Sequence, residues 1–221
     1  MAESSMSRAV LFDFDGVLAK TMEDTFNAWR SVMKTYGVEI QPEDYYPLEG
    51  MKVLKIPGEL FGKYGKKVPV DPAQIVREKE EEYLKNHHFE LYPGVIEILD
   101  QLKLKKIPTA VVTAALAERL KRSCPAGFLE RFDAIVSGGD LTEGKPSPAP
   151  YLCGASKLNI PPADCIVVEN APLGIESAKK AGCYCIALGT TLDRKHLTAA
   201  DEILNTFSDL KSSQRFRQLL N

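Results

Sequence analysis

Residues 9–14 run AVLFDF, with Asp13 as the one polar side chain. A short run of Val, Leu and Phe without alternation predicts a strand buried on both faces, as in a parallel sheet. From 22 to 36 the pattern changes. Met22, Phe26, Trp29, Val32, Met33 and Tyr36 recur at helical spacing and form one apolar stripe, with Gly37 placed to close the helix. Residues 41–65 are broken by Pro42, Pro47, Gly50, Pro57, Gly58 and Gly62, which predicts short helices and turns. Asp71-Pro72 then opens a charged helix running to about His88, with proline at the first helical position. No strand is predicted over 21–89, so this stretch reads as an all-helical insert.

The remainder alternates. Strands are predicted over 109–113, 133–136, 165–168, 184–188 and 202–204. Helices are predicted over 93–105, 114–123, 148–158, 172–181 and 210–220, with a helical turn at 127–132. Strands alternating with helices imply right-handed crossovers and an α/β fold, a three-layer arrangement around a parallel sheet. The expected division is a core of residues 1–20 and 90–221, interrupted by a helical domain of residues 21–89.

Composition narrows the picture. A chain of 221 residues is long for one minimal domain and short for two full ones, which suits one core with an insert. Its formal net charge of −2 carries no electrostatic footprint for nucleic acid or a membrane surface. The opening MAESSMSR is polar and is not the pattern of a signal peptide, and no apolar run is long enough to span a bilayer. Five cysteines form no CxxC pair, and Cys183 and Cys185 alternate on a predicted buried strand. Reduced core thiols in a cytoplasmic protein are expected.

Polar residues at the strand ends carry the candidate chemistry. Asp13 and Asp15 are two apart, so they can leave the first strand on the same side, and Gly16 permits a sharp turn after them. The pair alone reads equally as a strand-ending turn. Thr113 closes the second strand and Ala114 opens a helix, which makes a phosphate cradle or a simple N-cap. Lys145 lies in the loop Glu143-Gly144-Lys145-Pro146, where a lone lysine is usually solvated. Glu169-Asn170 follows the CIVV strand and could simply favour a helix N-terminus. Taken in order, these residues all fall at or just beyond the carboxyl ends of predicted strands. A cluster of Asp13, Asp15 and Glu169, with oxygen donors only, suits Mg²⁺. Lys145 and the metal would keep Asp13 ionised, the state a carboxylate nucleophile needs.

DFDGV, the strand ending in Thr113, Lys145-Pro146 and VVENAPLGIESAKKAG together make the sequence similar to the haloacid dehalogenase superfamily of phosphatases. The resemblance covers nearly the whole chain and is nearest the subgroup of β-phosphoglucomutase and phosphoglycolate phosphatase. It implies a Rossmann-like core with an inserted C1-type helical cap. It implies that Asp13 forms an aspartyl-phosphate and that Asp15 protonates the leaving oxygen and later activates water. Thr113 and the Ala114 N–H would hold phosphoryl oxygens, and Lys145 would neutralise charge on both partners. Mg²⁺ would sit on Asp13, the Asp15 main chain and the Glu169-Asn170 pair. Gly50 and Lys52, in GMKVLK, form the segment expected to reach substrate from the cap.

The departures from the pattern matter. Most relatives carry a second acid where Asn170 stands, which predicts weaker metal binding or Glu169 moving onto the metal. Lys20 replaces a hinge Asp, and Thr25 and Leu116-Ala117 replace groups that retain a sugar bisphosphate in the mutase. The resulting expectation is a Mg²⁺-dependent phosphatase for a small phosphorylated metabolite, a sugar phosphate or phosphoglycolate. It would act without nucleic acid or membrane, as a monomer or weak homodimer. A phosphohexomutase is the alternative, and a catalytically silent binding relative is a third reading.

Overall fold

The structure, a computed structural model, describes residues 8–221. The polar stretch 1–7, on which the signal-peptide reading rests, lies outside the described residues. Six strands make one sheet: β1 (Ala9–Phe12), β2 (Thr109–Val112), β3 (Ala134–Val136), β4 (Cys165–Glu169), β5 (Tyr184–Leu188) and β6 (Glu202–Leu204). Their order is β3-β2-β1-β4-β5-β6 and every pairing is parallel. This is the doubly wound arrangement that the alternation predicts. The order reverses between β1 and β4, and the crevice beyond the carboxyl ends at such a reversal is where open α/β sheets bind ligands.

Between β1 and β2 lie α1 (Met22–Thr35), α2 (Pro42–Tyr45), α3 (Ile56–Lys63), α4 (Pro72–Asn86) and α5 (Val95–Leu104). After β2 come α6 (Ala117–Ser123), α7 (Ala149–Lys157), α8 (Pro172–Lys180) and α9 (Gln214–Leu220). Successive residues of β1 face opposite ways. Val10 and Phe12 join Ile98 and Leu102 of α5, Leu120 of α6 and Phe216 of α9. Ala9 and Leu11 join Tyr151 and Ala155 of α7 and Ile175 and Ala178 of α8. Helices therefore cover both faces, which is why β1 has no polar position before Asp13. A third apolar cluster belongs to the helical insert, where Phe26, Trp29 and Met33 of α1 pack on Tyr45, Leu60, Phe61 and Ile75. Full burial of each such side chain stabilises by about 1.5–3 kcal/mol.

The insert connects to the sheet through two adjacent strands of chain. Ala19 and Leu91 form an isolated antiparallel bridge. The Lys20 N–H donates to the Glu90 carbonyl (2.8 Å), and the Tyr92 N–H donates to Leu18 (3.0 Å). Lys20, standing where a hinge Asp was expected, pairs its ammonium with Glu90 at 2.5 Å in an exposed position.

Several boundaries differ from the sequence reading by a residue or more, and three of them have a clear local reason. β1 stops at Phe12 because the Phe14 carbonyl accepts from Leu18 and Ala19, turning the chain back. α6 begins at Ala117, not at 114. Thr113 Oγ1 accepts from the Ala115 N–H at 3.0 Å, and this local turn competes with the helix. The last helix is split. A 3₁₀ turn over Phe207–Ser212 precedes α9, whose N-cap Ser213 accepts from Phe216 N at 3.2 Å.

Candidate active site

The sheet register builds the centre of the site. Phe12 is level with Val168 across β1 and β4, so the next residues, Asp13 and Glu169, emerge side by side. Lys145 enters from the loop before α7 and bridges them. Its Nζ lies 2.5 Å from Asp13 Oδ1, 2.6 Å from Glu169 Oε1 and 3.2 Å from the Val112 carbonyl. It also sits 5.1 Å from the Tyr151 ring centroid. Asp13 and Lys145 are each 3% exposed, so this lysine is no solvated loop residue. Burial works against the ammonium, but Asp13 and Glu169 hold its pKa above the usual lysine range. Burial pushes Asp13 well above the usual carboxylate range. Lys145 opposes that rise, and Glu169 and Asp15 add to it.

Glu169 is fully engaged. Oε1 accepts from Lys145 and from the Tyr151 hydroxyl (2.6 Å), and Oε2 accepts from the N–H groups of Asn170 (2.9 Å) and Ala171 (3.2 Å). It lies against α8 at Gly174, where an added Cβ would fall 1.8 Å from Oε1. Beside it, Asn170 donates through Nδ2 to Thr191 Oγ1 at 2.8 Å, which leaves its Oδ1 buried without a partner. Gly16 has φ +80, and a Cβ there would overlap Asn170 and Thr191. The turn after the Asp pair therefore needs glycine for both conformation and space.

Asp15 leads elsewhere. Its Oδ1 accepts from Thr21 Oγ1 at 2.6 Å and from Arg119 Nη1 at 3.0 Å, and Oδ2 pairs with Arg119 Nη2. Burial works to raise its pKa, but the guanidinium, its hydrogen bonds and that of Thr21 outweigh burial and hold it low. Arg119 is itself buried and packs 4.9 Å from the Tyr83 ring centroid. The sequence reading did not single out Arg119. Its one signal is position: Leu116, Arg119, Leu120 and Ser123 share one helical stripe. Tyr151 and Thr191 were also missed, since each acts only through a residue distant in the chain, and Gly174 was given no role of its own within the quoted motif.

Gly50 and Lys52 do come to the site from the insert, in different roles. Gly50 (φ +86) lies over Lys145, where a Cβ would sit 2.8 Å from the lysine Cδ. Lys52 turns its ammonium onto core carbonyls, Leu141 O at 3.0 Å and Thr142 O at 2.9 Å. It docks the insert on the core, so in this arrangement its charge is spent on protein and not offered to substrate. Thr113 and Ala114 line a small cleft together with Gly50 and Lys145.

The expected three-carboxylate metal cluster is not assembled. Among the described residues, no three His, Cys, Asp or Glu side chains are grouped to hold a metal. Arg119 holds the Asp15 side chain, and Glu169 accepts four hydrogen bonds from protein donors. What remains is oxygen-only: Asp13 Oδ2 and Asn170 Oδ1, both buried and without partners. Mg²⁺ commonly takes only one or two carboxylates, completed by water and substrate phosphate. The residues present fit such a sparsely ligated ion, and a cation there would oppose the burial that raises Asp13.

The sequence model of the haloacid dehalogenase-like hydrolases matches residues 10–188. Validoxylamine A 7'-phosphate phosphatase of Streptomyces hygroscopicus subsp. limoneus is 27% identical, over 93% of this chain and 97% of its own. Protein CbbY of Cereibacter sphaeroides is 31% identical, over 93% of this chain and 94% of its own. The solved structure of a putative β-phosphoglucomutase from Bacteroides vulgatus superposes with a TM-score of 0.86 at 30% identity, covering 99% of this chain and 92% of that one. The match over most of the sheet, with Asp13, Lys145 and Glu169 meeting at its reversal point, places this chain among the haloacid dehalogenase-like hydrolases.

Proposed function

We propose that the protein is a Mg²⁺-dependent phosphatase of a small phosphorylated metabolite, a sugar phosphate or phosphoglycolate, working in a reducing, cytoplasmic setting. The carrying observation is Asp13: buried, one oxygen held by Lys145 and the other without a partner. A carboxylate so placed is a nucleophile with one free lone-pair face. Its oxygen attacks phosphorus, the bond to the leaving oxygen breaks, and an aspartyl-phosphate forms. Asp15, which the guanidinium of Arg119 otherwise holds ionised, must first take up a proton; it then gives that proton to the leaving oxygen and takes one from the water that frees phosphate. Lys145 holds negative charge on Asp13 and on the transferring group, and Thr113 and Ala114 position its oxygens. When bound to Asp13, Asn170 and the Asp15 main chain, Mg²⁺ supplies further charge neutralisation for a loose transition state.

The helical insert acts as a cap that closes over the site and excludes water, with the 19–20 and 90–91 crossing as its hinge. The reducing setting is supported by the thiols. All five cysteines are free, and burial pushes Cys165 and Cys183 up to about 12, so they stay protonated.

Mutase chemistry is the second reading, favoured by the likeness to the putative β-phosphoglucomutase. Leu116 counts against it, because this residue packs on the apolar cluster of the insert and offers no polar group. The test is turnover of p-nitrophenyl phosphate with and without Mg²⁺, beside a coupled assay with β-glucose 1-phosphate and a bisphosphate activator. Mg²⁺-dependent phosphate release, lost in Asp13→Asn and on chelation, is the expected result. Isomer formation without net phosphate release would establish the mutase, and no turnover of either kind would leave a binding protein.

A further inference from the structure

Between the core and the insert lies a second chamber, on the far side of Gly50 from the Thr113 cleft. Asp15 and Arg119 line it from the core, and Thr25, Trp29, Glu49, Lys79 and Glu80 line it from the insert. On the phosphatase reading, Asp15 marks this as the space for the leaving portion of the substrate. Several wall atoms are buried without hydrogen-bond partners: Trp29 Nε1, Thr25 Oγ1, Arg119 Nε and Glu80 Oε2. The first and third can only donate, and the second can donate. Two buried cations stand among them. Lys79 is 3% exposed and pairs with Glu80 at 3.2 Å, and Arg119 is 4% exposed and pairs with Asp15.

The charges balance only while Arg119 keeps Asp15. Asp15 and Glu80 offset Arg119 and Lys79. Glu49 gives one oxygen to the Tyr45 hydroxyl, and burial and the charge of Asp15 push it toward its neutral acid. Oδ1 of Asp15 is filled by Thr21 and Arg119, and Oδ2 keeps one free site beside Arg119, so turning the carboxyl onto a leaving oxygen weakens its pairing with Arg119. A buried guanidinium left without an anion is strongly unfavourable. Glu80 is a poor replacement. It already balances Lys79, and its nearer oxygen is 3.8 Å from Arg119 Nε. The substrate itself can supply the missing charge, and a planar guanidinium fork suits a carboxylate or phosphate.

We propose that Arg119 is a specificity-determining residue that exchanges Asp15 for a second anionic group on the leaving portion of the substrate, a carboxylate or a phosphate. The preferred substrates therefore carry a second anionic group besides the phosphate that is transferred, and monophosphates of uncharged polyols are poor ones. This rests on the phosphatase reading for the place of the leaving group, but it is tested both with and without turnover.

The test compares matched pairs that differ in one anionic group. Phosphoglycolate against hydroxyethyl phosphate isolates a carboxylate, and a hexose bisphosphate against its monophosphate isolates a phosphate. In the wild type, kcat/KM favours the anionic member of at least one pair by about tenfold or more, mostly through KM. Arg119→Met brings that ratio near one, and Arg119→Lys retains part of it. Calorimetric binding of phosphonopropionate against propylphosphonate reads the same preference without turnover, so loss of activity alone does not decide it. Equal kcat/KM within both pairs together with equal binding of the two phosphonates overturns the proposal. So does a preference that persists unchanged in Arg119→Met that is folded by circular dichroism. If Arg119 is instead handed to Glu80, Glu80→Gln slows anionic and neutral substrates alike and the wild-type ratio is one, which also overturns it.

Discussion

Single atoms decide how this site is held. Gly174 is the clearest case. In an α-helix, Gly→Ala normally favours stability by about 1 kcal/mol. Here the new methyl would overlap the Glu169 carboxylate, and relief of such crowding costs about 1–3 kcal/mol. Gly174→Ala is expected to lower stability in urea titration and to cut kcat by about tenfold or more, because Glu169 sets Lys145. A more stable variant with unchanged kcat would show that Glu169 does not position the lysine. Glu49 makes a pH prediction. Burial, then the charge of Asp15, raises its pKa in the folded state, so the native protein holds this proton more tightly than the unfolded chain. Stability contributed by the protonated form is present below the unfolded value of about 4.3 and is lost as pH rises through the folded value. Glu49→Gln keeps an acceptor for Tyr45 and removes that loss. Its melting temperature should exceed the wild type at pH 7, with the gap closing near pH 4. A gap of equal size at both pH values would exclude this origin.

Elements were readable wherever one local force dominated. β1, β5 and the long helices α1 and α4 follow from apolar runs and helical stripes, and their observed bounds lie within two residues of the expected ones. Two of the differing boundaries occur where a side chain competes with the backbone. At 114–116 it is the Thr113 hydroxyl, and at the C-terminus it is Ser213. Ser213 caps α9 and also donates to Glu202 Oε2 at 2.6 Å, tying the last helix to β6. Ser213→Ala is expected to cost about 1–2 kcal/mol in chemical denaturation. A loss under a few tenths would mean that packing of Phe216 alone holds the helix.

At the scale of the molecule, the insert and the core meet at Arg119 and Leu116, against Tyr83, Glu80 and the apolar cluster of the insert, and at the segment around Gly50. Lys52 reaches two core carbonyls, Met51 bridges to Lys145, and Gly50 covers the same lysine. These contacts place one small segment of the insert against both the nucleophile's partner and the Thr113 cleft. Lys52→Ala should loosen this docking while leaving each hydrophobic cluster intact. Hydrogen exchange should therefore quicken around 50–55 and 141–145, with little change in β1 or β4. Uniform exchange across the chain in the variant would instead mark Lys52 as a global stabiliser.

The linear pattern was sufficient for the alternation of strands and helices, the run of helices between β1 and β2 and the strand-end positions of Asp13, Thr113 and Glu169. Buried runs and turn residues are short-range properties, and a parallel doubly wound sheet brings its strand ends to one edge. The pairing of charges at that edge was not determined this way. Asp15 meets Arg119 across 104 residues, Lys145 is drawn between two carboxylates, Glu169 spends both oxygens on protein, and Lys52 binds carbonyls. Each outcome depends on which partner is nearest once water is gone. A buried charge must find an opposite charge or a hydrogen bond, and only the packed fold fixes the distances on which that choice depends.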